Sequence, residues 1–193
     1  TNKKINKDLD LLLSQANRCR EILKKLSMNP KIDDRFLESD LDLYDYLSEI
    51  IRSYQEISKK KFVLNVENHK YPLKISKSQE IIYGLRNFIG NANKFSKNKI
   101  EILLISNKGD TEIIIKDDGP GFPKDLIEKH RLGEPYIRTA DQNNISKNGL
   151  GLGTFIGKTL LEKNYATIDF KNSKEISGAE VKIKWKNKDL KII

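Results

Sequence analysis

Residues Ile5, Leu9, Leu12, Ala16, Cys19, Leu23 and Leu26 recur at alternating spacings of four and three, the seam pattern of a coiled coil or helical bundle. The pattern predicts one long opening helix. Its other faces carry Lys, Asp, Arg and Glu, so burying the seam needs an opposing apolar stripe from another helix. Ser27-Met28-Asn29-Pro30 ends the pattern, because proline lacks a backbone donor and disfavours helix in the residue before it. A boundary near residue 30 divides a helical segment, 1–30, from a second domain, 31–193.

In that second domain Leu43, Tyr46, Leu47, Ile50, Ile51 and Tyr54 share one side of a helix predicted from Leu43 to about Ser58. Lys61 to Glu67 and the stretch around Leu73 to Ile75 alternate like a strand pair about the turn Asn68-His69-Lys70, so a hairpin is expected. Ser78 to Phe95 reads as the next helix. Lys99 to Ser106 and Thr111 to Lys116 read as strands around Asn107-Lys108-Gly109-Asp110. A long polar stretch, about Arg131 to Asn148, precedes a helix starting near Gly153, and the strands Thr167 to Lys171 and Ala179 to Trp185 follow. Strands grouped with helices between them predict an α+β fold with a mixed, largely antiparallel sheet covered by helices on one face.

Three polar clusters interrupt this pattern. Asn87, Asn91 and Lys94 stand at i, i+4 and i+7 of one helix, so they share a face. Two amide oxygens suit a hard cation such as Mg2+, and an ammonium suits phosphate oxygens. Phe88, Ile89, Ala92 and Phe95 are expected to pack inward beside them. Asp117 ends a predicted strand and opens Asp117-Asp118-Gly119-Pro120-Gly121-Phe122. A carboxylate there can accept from an exocyclic amine such as that of adenine, while Gly119 and Gly121 permit close approach or positive φ. Gly149-Leu150-Gly151-Leu152-Gly153 opens the last helix, where unblocked N–H groups can converge on an anion. The glycine spacing is neither the Walker pattern nor the dinucleotide fingerprint.

Charge and composition refine this reading. With 193 residues, 37% of them hydrophobic, the chain can bury one core of ordinary size. No apolar run approaches the roughly 20 residues that span a bilayer, and no signal segment is expected. The net charge of +9 comes from 36 Lys and Arg dispersed among 27 Asp and Glu, which reads as a solvated surface rather than a nucleic-acid face. A single cysteine, Cys19, excludes an intramolecular disulfide and fits a reducing compartment.

The three clusters, in this order and with the polar stretch between them, resemble the N, G1 and G2 boxes of the GHKL ATPases, specifically the catalytic domain of bacterial sensor histidine kinases. The likeness covers about Asp40 to Trp185. Ala16 to Leu23, Leu132-Gly133-Glu134-Pro135-Tyr136 and Gly149 to Glu162 further resemble the RegB/PrrB-type redox-responsive kinases. The resemblance implies a Bergerat-type α/β sandwich preceded by the second helix of a dimerisation and phosphoacceptor hairpin. It implies that Asn87 and Asn91 hold Mg2+, that Lys94 meets the phosphates and that Asp117 reads the adenine of ATP. Phe95, Gly119 and Gly121 would shape the adenine pocket, and Gly149, Leu150, Gly151, Leu152 and Gly153 would line the triphosphate. Residues 131–148 become a lid in which Arg138 is a phosphate contact, and Gly178 fits a further glycine position.

Implied partners are a response regulator and a second copy of the longer protein, joined through the hairpin, with no nucleic acid and no direct membrane contact by this stretch. The implied location is the cytoplasmic side of a bacterial inner-membrane protein. The acceptor histidine of the family lies in a helical His-Glu or His-Asp motif, and neither His69 nor His130 has that context. The chain therefore reads as a piece that binds Mg-ATP without efficient autophosphorylation. In RegB/PrrB-type kinases a cysteine in an Arg-Cys-Arg segment is implicated in redox control, which implies a switch at Cys19, where Arg18 and Arg20 would lower the thiol pKa. An ATP-dependent interaction module or serine kinase of the anti-sigma type would use the same pocket.

Overall fold

The computed structural model describes residues 42–68, 78–135 and 152–190, all within a compact unit spanning Ser39–Ile193. In chain order these residues form α1 (Leu43–Gln55), β1 (Lys61–Glu67), α2 (Gln79–Phe95), β2 (Lys99–Ser106), β3 (Asp110–Asp117), α3 (Lys124–Glu128), α4 (Gly153–Lys163), β4 (Thr167–Asn172) and β5 (Ala179–Lys186). The seam helix with Cys19 and the strand expected around Leu73 to Ile75 lie outside the described residues.

One five-stranded sheet runs in the order β1-β2-β3-β5-β4. β2–β3, β3–β5 and β5–β4 are antiparallel, whereas β1 pairs with β2 in parallel. The mixed, mostly antiparallel sheet is the expected one; the hairpin expected at β1 has its second strand outside the described residues. Parallel neighbours need a crossover, and α2 supplies it. The short helix α3, opened by Pro123, was not anticipated, because five residues carry too little periodicity to announce a helix.

Strand parity sets the core. β2 and β3 each alternate half-buried and buried positions along their whole length. The register places Ile102 beside Ile115, Ile115 beside Val181, and Ile113 between Leu104 and Ile183. All six are buried, and each such side chain contributes roughly 1.5–3 kcal/mol through removal from water. Along β3 the same parity runs Thr111, Ile113, Ile115, Asp117, so the alternation that buries the isoleucines also directs the Asp117 carboxylate into the core layer. On the opposite parity Glu112 pairs with Lys182 at 2.7 Å and Lys184 at 2.8 Å, a charged ladder on the other face.

α1 starts in a reciprocal capping box: the Asp45 N–H donates to Asp42 Oδ1 at 2.9 Å, and the Asp42 N–H donates to Asp45 Oδ2 at 3.3 Å. It buries Leu43, Tyr46, Leu47, Ile50 and Ile51, while Tyr54 is only half-buried. The Tyr54 hydroxyl donates to the Arg86 carbonyl of α2 at 3.2 Å. α2 is capped by Ser78, whose hydroxyl accepts from the Ile81 N–H at 3.2 Å. At its other end the Lys60 ammonium donates to the carbonyls of Asn93 and Ser96, the latter at 2.6 Å. That satisfies acceptors which the helix leaves open.

α2 and α4 cross where both lack side chains. A Cβ on Gly84 would lie 2.5 Å from Leu161 Cγ, and one on Gly157 would lie 3.1 Å from the Phe88 ring and 3.2 Å from Asn87 Cβ. The two backbones therefore approach at the turn that carries Asn87. Gly84→Val is expected to destabilise the domain by about 1–3 kcal/mol by overpacking against the fully buried Leu161. Urea unfolding checks this, and a variant within about 0.5 kcal/mol of the parent would show that the crossing tolerates a wider gap.

Candidate functional site

Asp117 stands at the end of β3, 5% exposed. Its Oδ1 accepts from the Gly119 N–H at 2.8 Å and from the Ala179 N–H at 3.3 Å. Both hydrogen bonds described for the side chain end on Oδ1, so Oδ2 retains its acceptor capacity. Burial raises the Asp117 pKa above the usual carboxylate value; the two backbone donors pull it down, Asp118 pushes it up and Lys60 pulls it down. The net shift is upward.

Two glycines make room for this carboxylate. A Cβ on Gly119 would lie 2.5 Å from the Phe95 carbonyl oxygen and 2.7 Å from Asp117 Oδ1, and one on Gly178 would collide with the Asp117 carbonyl. Gly121 has φ +77°, the left-handed region that favours glycine. The turn is also clamped by a residue that sequence reasoning missed. Asn172 Oδ1 accepts from the Phe122 N–H at 2.7 Å, and Asn172 Nδ2 donates to the Phe122 carbonyl at 2.9 Å, the pairing that a neighbouring strand would make. Phe170, two residues earlier, meets Phe122 edge-on at 5.7 Å and Phe88 at 6.0 Å between ring centroids. Asn172 shares the parity of Ile168 and Phe170 in β4, and a polar side chain on that inward parity was the available signal.

Asp118 faces elsewhere. Its carboxylate accepts from the backbone N–H groups of Lys97 at 2.8 Å and Asn98 at 3.0 Å, tying the β3 turn to the loop that follows α2.

On α2, Asn87 Nδ2 donates to the Tyr83 carbonyl at 2.8 Å, and Asn91 Nδ2 donates to Thr154 Oγ1 at 3.2 Å. In both amides the nitrogen is engaged, which leaves the carbonyl oxygen as the ligating atom. Two neutral oxygens fit Mg2+, which takes few protein ligands and completes its shell with water and phosphate oxygens. Among the described residues no cluster of three or more His, Cys, Asp or Glu offers a rival metal site. Lys94 Nζ lies 4.9 Å from the centroid of the Phe95 ring. Phe88, Ile89 and Ala92 are buried as expected, but Phe95 is 41% exposed. At the last residue of α2, beside the Asp117 turn, the ring is partly exposed next to the Lys94 ammonium rather than packed inward.

α4 begins at Gly153, where Leu152 supplies no side-chain cap and no acidic residue occupies the first turn. Its positive end is thus not neutralised from within the helix. Gly153 has a second role: a Cβ there would lie 3.1 Å from Asn91 Oδ1. Gly149, Leu150, Gly151 and Arg138 lie outside the described residues. His130, at φ +53° in the exposed turn after α3, has no helical context.

A buried carboxylate in a glycine-cleared turn, beside a helix bearing two oriented amides, on a mixed sheet, defines a nucleotide-binding α+β domain of the GHKL type. The chain belongs to the histidine kinase-, DNA gyrase B-, and HSP90-like ATPase family, which it matches over residues 77–189. It is 33% identical over 181 residues to the sensor histidine kinase RegB of Cereibacter sphaeroides, covering 86% of this chain and 37% of that protein. The chain thus spans well under half of that relative. Its fold is shared with the mycobacterial sensor histidine kinase MprB (TM-score 0.63, 22% identity, 76% of this chain and 96% of that one). It is shared too with full-length ShkA in complex with AMPPNP (TM-score 0.60, 19% identity, 80% of this chain and 31% of that one).

The raised Asp117 pKa has a sign that can be tested. Folding favours the protonated acid, so ionised Asp117 opposes folding. That penalty is absent below the ordinary Asp pKa, grows between the ordinary and the raised value, and is constant above it. Asp117→Asn keeps a neutral Oδ1 acceptor and is expected to be at least as stable as the parent at pH 7, the difference vanishing at low pH. Thermal unfolding against pH checks this, and a variant less stable at both pH extremes would refute the assignment.

Proposed function

We propose that this chain is the ATP-binding catalytic part of a sensor histidine kinase, which transfers the γ-phosphoryl group of ATP to a histidine elsewhere in the protein and thence to a response regulator. The observation that carries the reading is Asp117: buried, held through Oδ1 by two backbone donors, with Oδ2 left to accept from the 6-amino group of adenine. The family match, the RegB relative and the AMPPNP complex of ShkA support ATP as the nucleotide.

In this reading Gly119, Gly121 and Gly178 let the turn close around the base, Asn172 holds that turn, and Phe95 offers an aromatic surface beside it. Asn87 and Asn91 would hold Mg2+ through their amide oxygens; the ion, when bound, neutralises charge on the phosphate oxygens. Lys94, by turning from the Phe95 ring, reaches those oxygens, and the N–H groups at the start of α4 with the glycine run from Gly149 face the triphosphate. Phosphoryl transfer asks chiefly for positioning and charge neutralisation, which this set supplies. Arg138 and the 131–148 stretch act as a lid over the nucleotide. Residues 1–30 are the second helix of the dimerisation hairpin in a homodimer, and 31–193 are the catalytic domain.

In this reading the longer protein sits at the bacterial inner membrane with this part on the cytoplasmic side. Among the described residues no helix is long and apolar enough to cross a membrane. Redox control through Cys19 extends the reading on the strength of the RegB likeness. Equal kinase activity of the oxidised longer protein and its Cys19→Ala variant would count against it.

Guanine presents an acceptor where adenine has its amine, so facing a buried carboxylate it leaves two acceptors unpaired. Mg-ATP is therefore expected to bind at least about tenfold more tightly than Mg-GTP, since leaving a buried polar group unpaired is heavily penalised. A longer chain carrying a His-Glu hairpin should incorporate acid-labile, base-stable phosphate from γ-labelled ATP. Equal affinity for the two nucleotides would remove Asp117 as the base reader, and acid-stable phosphoserine would favour a serine kinase of the anti-sigma type.

A further inference from the structure

The two asparagines on α2 differ in what holds their amides. Asn87 Nδ2 donates to a backbone carbonyl one helical turn back, Tyr83 at 2.8 Å, an acceptor fixed by the helix itself. Asn91 Nδ2 donates to a side chain 63 residues away, Thr154 Oγ1 at 3.2 Å, in the first turn of α4. The Asn91 amide also lies over Gly153, where a Cβ would stand 3.1 Å from Oδ1 and 3.3 Å from Nδ2. One turn further along α4, a Cβ on Gly157 would stand 3.2 Å from Asn87 Cβ. The crossing of α2 and α4 thus brings the Thr154 hydroxyl to the one amide of the pair that its own helix does not orient.

An asparagine amide can present either its oxygen or its NH2 to a neighbour, and the two orientations have nearly the same shape. Only the first can ligate a cation. A carbonyl acceptor such as that of Tyr83 admits one answer, whereas a hydroxyl can accept or donate, so Thr154 Oγ1 selects the ligating orientation of Asn91 when its own hydrogen is turned away from the amide.

We infer that Thr154 is a positioning residue for the metal: by accepting from Asn91 Nδ2 it turns Asn91 Oδ1 toward the site where Mg-nucleotide binds. The inference rests on the Mg-ATP reading of the site. Thr154 touches neither base nor phosphate in this role; its effect passes through Asn91. Valine has the shape of threonine without the acceptor, and serine keeps the acceptor without the methyl group. Removal of one oriented hydrogen bond shifts an equilibrium about five- to tenfold, and that sets the size of the effect to be sought.

The test is calorimetric titration of AMPPNP into the chain, its Thr154→Val variant and its Thr154→Ser variant, each in excess MgCl2 and in excess EDTA, with thermal unfolding run in parallel. Thr154→Val should lose about five- to tenfold in affinity with Mg2+ and nothing in EDTA, at an unchanged melting midpoint, and Thr154→Ser should stay within about twofold of the parent. A Thr154→Val variant that keeps the parent's affinity with Mg2+, or that loses equally with and without it, overturns the assignment. A parent chain that binds AMPPNP equally well in MgCl2 and EDTA would remove the metal site itself, and Thr154 with it.

Discussion

The strand parity of β3 puts a carboxylate where the core expects an isoleucine. Asp117 follows Ile113 and Ile115 on the buried side of the sheet, so its desolvation is imposed by the same alternation that holds the sheet to its helices. A buried carboxylate without donors is strongly disfavoured, and the surrounding turn answers that demand with two backbone N–H groups, from Gly119 and Ala179. Those groups reach Oδ1 only because Gly119 and Gly178 carry no side chain. Gly119 and Gly178 thus answer to the acid's burial, whereas Gly121 answers to its own positive φ and to Asn172.

α2 is the element on which the rest of the site hangs. Its last turn meets the Asp117 turn at the Phe95 carbonyl, its middle meets α4 at Gly84 and Gly157, and its outer side meets α1 through Tyr54. Lys60 fastens the same last turn from the start of β1. A displacement of α2 therefore moves Asn87, Asn91 and Phe95 together relative to Asp117. Among the described residues, Asn87, Asn91, Phe95 and Asp117 thus hold fixed places relative to one another, and such preorganisation lowers the ordering cost of binding a ligand.

Much of this was legible in the chain. The start of α1 and the bounds of α2, β2 and β3 follow within a residue from apolar period and turn chemistry, although α1 ends at Gln55 rather than near Ser58, and the Asn pair, the acidic glycine turn and the start of α4 stand where the spacing put them. What escaped was non-local. β1 lies parallel to β2 across the α2 crossover, a pairing that no local pattern specifies. Asn172 and Thr154 act on residues 50 and 63 positions away, so no spacing rule connects them to the site. Phe95 follows the apolar period of its helix yet ends up partly exposed, because the helix stops there and the ring lies beside the Lys94 ammonium instead of in the core. Lys60 reads as one dispersed surface charge among many until its carbonyl partners are known.

The most direct test of a base-reading carboxylate in a nucleotide site is the calorimetric titration of Mg-AMPPNP into the chain and into Asp117→Asn. The account predicts a saturable heat with the parent and none with the variant, while the variant's unfolding remains cooperative. Equal binding by both proteins, or by neither, would contradict it.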